Sequence, residues 1–143
     1  MLKFVAVSDE NPVTFARRQI TLVDVHHSVP CVGVVLDTPT GRWCFSGDTH
    51  RTERLYEVIN AGQHLDYLFI ESAFADHERW LADISSHLCP ELLFQELGKL
   101  TVFCEVWVSH LKPREHALIR EELKHYPGAR PLQVLSAGMV FNI

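Results

Sequence analysis

An α/β fold is what this sequence predicts, on three observations. The first third alternates apolar, β-branched and polar residues between turn signals, as an antiparallel meander does. From there the pattern runs strand, loop, helix, strand three times over. Apolar strand segments then end on Asp48, Glu71 and His110, groups able to bind a metal or move a proton. Strand carboxyl ends are where open α/β sheets bind ligands.

In chain order, Leu2 to Val7 is a short strand candidate, closed by the turn formers Asp9, Glu10, Asn11 and Pro12. Val13 to Arg18 is ambiguous between elements. Ile20 to His27 alternates and reads as a half-buried strand ending on His26 and His27. Because side chains alternate along a strand, these two rings point to opposite faces, and without a bend only one can serve a given site. Pro30 breaks the pairing, Val32 to Asp37 forms the next strand, and Pro39-Thr40-Gly41 turns it into Arg42 to Ser46 as a hairpin. Gly47 then allows the sharp turn that exposes Asp48 and Thr49.

A helix follows, with Thr49 or Thr52 as its cap, Leu55, Val58 and Ile59 at helical spacing, and Gly62 just past its end. Leu65 to Ile70 is a strand delivering Glu71. A short helix spans His77 to Ile84, and a polar break at Ser85-Ser86-His87 ends it. Pro90 opens another helix, where Leu93, Leu97 and Leu100 form a buried stripe. Thr101 to Ser109, the most continuously apolar strand, delivers His110. Pro113 starts a helix whose Leu118, Ile119 and Leu123 face the sheet. The chain closes with a strand from Leu132 to Leu135, a turn at Ala137-Gly138 and a short strand from Met139 to Asn142.

At 143 residues the chain is read as a single domain over 1–143, able to bury roughly two thirds of its unfolded surface. Its net charge is −5 and its 13 Lys and Arg are scattered, so no nucleic-acid footprint is written in the bulk charge. Cys31, Cys44, Cys89 and Cys104 lack Cys-x-x-Cys spacing, and two lie inside apolar runs; small buried hydrophobes in a reducing compartment is the better reading. No signal peptide is evident, and no apolar run approaches the roughly 20 residues of a membrane span. The expectation is a cytoplasmic protein without a membrane partner.

His27, Asp48 and His110 are candidate metal ligands, because neutral imidazoles with a carboxylate suit zinc or manganese at a hydrolytic site. Glu71 and His87 would orient a ligand or pass protons, and Thr49 and His50, beside Asp48, are candidates to touch substrate. Singly, each has an ordinary reading: a surface histidine at a strand end, an Asp in a turn or cap, a Glu in an ion pair. Their joint occurrence at strand ends points to a site. His26 is read as structural, and His64, His77, His116 and His125 as helix-edge residues without a chemical role.

The ordered set His27-Ser28-Val29-Pro30-Cys31-Val32-Gly33, Phe45-Ser46-Gly47-Asp48-Thr49, Asp66-Tyr67-Leu68-Phe69-Ile70-Glu71, Ser86-His87 and Val108-Ser109-His110-Leu111-Lys112-Pro113 resembles the metallo-β-lactamase fold hydrolases. The branch it resembles contains ribonuclease Z and the class II cyclic-nucleotide phosphodiesterases, and the closing Ser136-Ala137-Gly138-Met139-Val140-Phe141 is similar to that family's terminal hairpin. The resemblance runs from about Ile20 onward. It implies an αββα sandwich that is incomplete here: mainly the second sheet with its helices, the carboxyl-terminal part of the fold. It also implies two divalent metal ions, zinc or manganese, in the complete family fold, with His27, Asp48 and His110 as ligands, Asp48 bridging, and Glu71 and His87 assisting proton transfer. Glu71-Ser72-Ala73-Phe74 and the segment Leu81 to Pro90 look more like the phosphodiesterases than the tRNA-processing enzymes.

The departures carry equal weight. The family's His-x-His-x-Asp-His motif is absent, Val34 stands where the branch usually has an aromatic, and Cys89 where the phosphodiesterases usually have threonine. Without that motif neither metal keeps more than two of the family's protein ligands, whereas zinc catalysis normally takes three. The expectation is therefore a truncated hydrolase of a small phosphodiester such as a cyclic nucleotide, inactive alone and needing a complementing N-terminal segment. A catalytically dead association module, with an exposed sheet face that could form a homodimer, is the alternative. Ribonuclease Z-like tRNA processing is a third.

Overall fold

The structure is a computed structural model that describes Phe4, Ala6 and residues 7–142. Among the described residues it forms one seven-stranded sheet in sequential order: β1 (Val13–Phe15), β2 (Arg18–Val25), β3 (Cys31–Asp37), β4 (Arg42–Phe45), β5 (Tyr67–Glu71), β6 (Glu105–Ser109) and β7 (Leu132–Val134). The helices are α1 (Arg54–Asn60), α2 (Arg79–Ser85), α3 (Pro90–Leu97) and α4 (His116–Leu123), with a 3-10 turn at Asp76–Glu78 before α2.

The sheet is mixed. β1 to β4 pair antiparallel, the meander expected of the opening third, and β4 to β7 pair parallel. Each parallel step therefore needs a crossover, and crossovers are right-handed in nearly all known cases. Because the steps run in one direction across the sheet, right-handedness puts every crossover helix on the same face. Burial follows that rule. Val23, Val35, Cys44, Leu68, Ile70, Val106 and Val108 lie under Leu55 and Ile59 of α1, Leu92, Leu93 and Leu97 of α3, and Ile119 of α4, and all are essentially inaccessible.

Among the described residues the opposite face carries no helix. The pairing registers line up Leu22, Val34, Phe45, Phe69 and Trp107 in one row and Ile20, Leu36, Trp43 and Tyr67 in the next. Phe141 lies on this face with ring centroids 4.9 Å from Phe69, 5.0 Å from Trp107 and 5.3 Å from Tyr67. A shallow concavity of about 510 Å³ is lined by Val34, Trp43, Phe45, Phe69 and Phe141.

Several expected boundaries shift. The Leu2–Val7 strand falls partly outside the described residues, and Phe4, Ala6 and Val7 are not in a strand. The ambiguous Val13–Arg18 stretch is the β1–β2 hairpin, turned on Ala16 and Arg17 at φ 48° and 64°. Neither residue is a glycine, so no turn signal marked it. Thr49 and Thr52 do not cap α1, which begins after Glu53 without a side-chain cap; the Thr52 amide instead donates to Glu96 at 3.1 Å. Residues 101–104 precede β6 rather than belong to it, and Leu118 on α4 is 40% exposed while Ile119 and Leu123 carry the contact. Met139 to Asn142 forms no strand; Phe141 holds that segment by aromatic packing.

Candidate metal centre

Strand direction explains why distant residues meet. β2 is antiparallel to β3 and β3 to β4, so β2 runs the same way as β4, β5 and β6. Their carboxyl ends share one edge, and those ends carry His26 and His27, then Asp48, Glu71 and His110. Gly47 makes the turn onto Asp48 at φ +64°, and a Cβ there would stand 2.6 Å from the Val32 carbonyl oxygen, so the turn admits only glycine. His110 itself occupies the left-handed region at φ 62°, a sparsely populated state that is often met at functional sites.

Glu71, at the end of β5, is 1% exposed and organises the floor of this edge. Its Oε1 accepts the Thr49 amide at 2.8 Å and the His87 Nδ1 proton at 2.6 Å; its Oε2 accepts the Leu88 amide at 3.1 Å. One carboxylate thus ties the loop after β4 to the segment after α2. That segment reaches the edge because Ser86 ends α2 in the left-handed conformation, φ 58°.

The tautomers follow from the partners. His27 Nδ1 lies 2.9 Å from the Ser86 carbonyl oxygen, which can only accept, so Nδ1 carries the proton and Nε2 a lone pair. Glu71 imposes the same on His87. His110 Nδ1 lies 2.6 Å from Asp48 Oδ1, and the Lys112 ammonium lies 3.3 Å from its Nε2, so here too Nδ1 donates. Three imidazoles are each oriented through Nδ1, as is usual for metal-ligating histidines; Nε2 is free on His27 and His87, whereas on His110 it accepts from the Lys112 ammonium.

One donor atom each from His27, Asp48 and His87 lies within 4.8 Å of the others. The ring centroids of His27 and His87 are 4.8 Å apart and those of His87 and His110 5.1 Å. Imidazole nitrogens with a carboxylate suit a divalent transition ion, and the residues present fit such an ion chemically and in separation. Of the expected ligands, His27 and Asp48 share this cluster, and His110 is joined to Asp48 at 2.6 Å without being part of it; His87, from the polar break, is the third member.

Thr49 and His50 are turned inward. Thr49 is 1% exposed, with its hydroxyl donating to the His50 carbonyl oxygen at 2.9 Å. His50 Nδ1 accepts the Arg51 amide at 2.7 Å, leaving Nε2–H to donate to Asp83 at 2.9 Å. Burial holds this imidazole below its ordinary range, His26 and Arg51 acting the same way against Asp83. The His26 ring stacks on His50 at 5.8 Å and its carbonyl accepts the His50 amide, so the paired histidines of β2 do diverge to different neighbours. Sequence reasoning missed the Ser86 carbonyl, Lys112 and Asp83. The Ser-Ser-His break after a short helix was the one available signal, and it did not reveal the left-handed Ser86.

No family model matches this chain, and no curated protein matches it in sequence. Solved structures do. It is similar to the metallo-β-lactamase fold protein YhfI from Bacillus subtilis, with TM-score 0.76 and 17% identity over 98% of this chain and 56% of that one. It is also similar to the short form of human tRNase Z (TM-score 0.68, 14% identity, 94% of this chain and 48% of that one). Zinc-bound PqqB from Methylobacterium extorquens gives TM-score 0.63 and 15% identity over 97% and 51%. The fold is thus that of the metallo-β-lactamase fold proteins, and the chain spans about half the length of these structures.

Proposed function

We propose that this chain carries the carboxyl-terminal share of a metal-dependent hydrolase site, of the ribonuclease Z and class II phosphodiesterase branch, acting on a small phosphodiester such as a cyclic nucleotide. The observation that carries this is the set of Nδ1-oriented imidazoles around Asp48 at one sheet edge. His27, Asp48 and His110 would hold divalent ions, zinc or manganese, supplied with further ligands by a complementing N-terminal segment. Bound ions would polarise the phosphoryl group and lower the pKa of a water. In that complete site Glu71 fixes the His87 tautomer, and His87 is placed to move a proton at Nε2.

A small substrate is favoured over tRNA by the net charge of −5 and the scattered basic residues, since RNA binding draws on phosphate neutralisation. The likeness to tRNase Z supports the phosphodiester class. The test is to add a His-x-His-x-Asp-His segment, in cis or as a second chain, with zinc or manganese. Hydrolysis of a chromogenic phosphodiester or a cyclic nucleotide is expected, and Asp48→Ala should abolish it; activity surviving in D48A removes the mechanism.

The uncovered aromatic face favours a second reading, an association module without catalysis. It predicts a dimer by sizing and no metal by elemental analysis after purification in zinc.

A further inference from the structure

The hydrolase reading assigns His87 to proton transfer, and its ligand count leaves each ion short. In the chain as it stands the geometry allows a different arrangement. Zinc sites with an open position take three protein ligands, with bonds of about 2.0–2.1 Å that set tetrahedral donors about 3.4 Å apart. The donors of His27, Asp48 and His87 already lie within 4.8 Å of one another, so small side-chain rotations close the gap. Both imidazoles are held by Nδ1–H donation, to Ser86 and to Glu71, with Nε2 free. His87 is 8% exposed and Glu71 is 1% exposed, so the pair is built into the core rather than left to fluctuate on the surface.

We infer that this chain by itself holds one divalent transition-metal ion through His27, Asp48 and His87, with His87 as a ligand and Glu71 as the residue that positions it. The inference rests on the same site as the hydrolase reading and changes the jobs of two residues in it, His87 and His110. With the complementing ligands present His87 is released for proton transfer; without them it completes a three-ligand set. His110, already bonded to Asp48, orients that carboxylate. A second cluster, His77 with Glu78 and Glu115, also gathers three donors, but around an exposed His77 and without a buried carboxylate to orient the ring.

Chelator-stripped 143-residue protein titrated with cobalt(II) should bind one equivalent with the intense d–d absorption of a tetrahedral site. Glu71→Gln should weaken binding roughly 10–100-fold, as loss of an outer partner does, and His87→Gln by more than about 100-fold, beyond that range. His77→Ala should leave the stoichiometry at one. Because a His87 variant could misfold, the wild-type chain is also followed by ¹⁵N-histidine NMR, where zinc should shift His87 Nε2 as a bound nitrogen. An unshifted His87 Nε2, cobalt affinity unchanged in H87Q, or binding lost in H77A overturns the inference. The two readings fail separately. If H87Q binds cobalt normally yet the complemented enzyme is active, only the ligand role falls; if His87 binds metal yet no complemented form hydrolyses a phosphodiester, only the hydrolase reading falls.

Discussion

The two faces of the sheet share seven strands and differ in what covers them. On one face Leu68 and Ile70 are at most 1% exposed beneath crossover helices; on the other, Phe45 is 42% exposed and Phe69 is only half buried. The residues alternate along the same strands, so the difference is not one of composition. Handedness makes it: a sequential run of parallel strands with right-handed crossovers puts all its helices on one side. The lesson is that a strand's hydrophobic pattern specifies two apolar faces without saying which will find a partner. Here the uncovered face presents Trp43, Phe45, Phe69 and Phe141 around a shallow concavity.

That comparison can be broken first on the covered face. Ile70→Ala should lower unfolding free energy by about 2–5 kcal/mol, the range for cavities in a packed core, measured by urea denaturation. A loss below about 1 kcal/mol would mean that the helices do not seal that face. Gly47→Ala comes next, at about 1–3 kcal/mol, because the left-handed backbone and the Val32 carbonyl both oppose a Cβ.

Phe45→Ser on the open face should change stability by no more than about 0.5–1 kcal/mol, in line with surface substitutions, while reducing binding of a hydrophobic dye. A cost of several kcal/mol would show that this face is packed in solution, as a self-association would make it.

The smallest effect is chemical and sharpens the same contrast. Burial pushes the Cys44 thiol far up, the Cys89 thiol to about 12 and the Cys104 thiol to about 11. In the folded protein a disulfide reagent at pH 8 should therefore modify Cys31, half exposed at the start of β3, and spare the other three until denaturant is added. Modification of Cys44 under native conditions would show the covered face opening.

Much of the site was legible because it is written in local pattern. A glycine after an apolar run marked the turn onto Asp48, and strand ends marked Glu71 and His110. Alternation foretold that His26 and His27 would part. The cap residues, the Ala16-Arg17 turn and the start of β6 were not legible, since each depends on a partner outside its own window. Thr52 binds Glu96, forty-four residues on, instead of capping its helix.

The sequence by itself determined the α/β class, the alternation that gives the sheet two apolar faces, and which groups stand at the strand ends. Only the tertiary structure decided how those groups are used. His27 meets the Ser86 carbonyl across 59 residues, His110 meets Asp48 across 62, and His87 reaches Glu71 across 16 through a left-handed residue no propensity signals. An imidazole's tautomer is fixed by whichever acceptor lies beside Nδ1, and that acceptor is brought there by strand direction and crossover handedness, not by any neighbour in the chain.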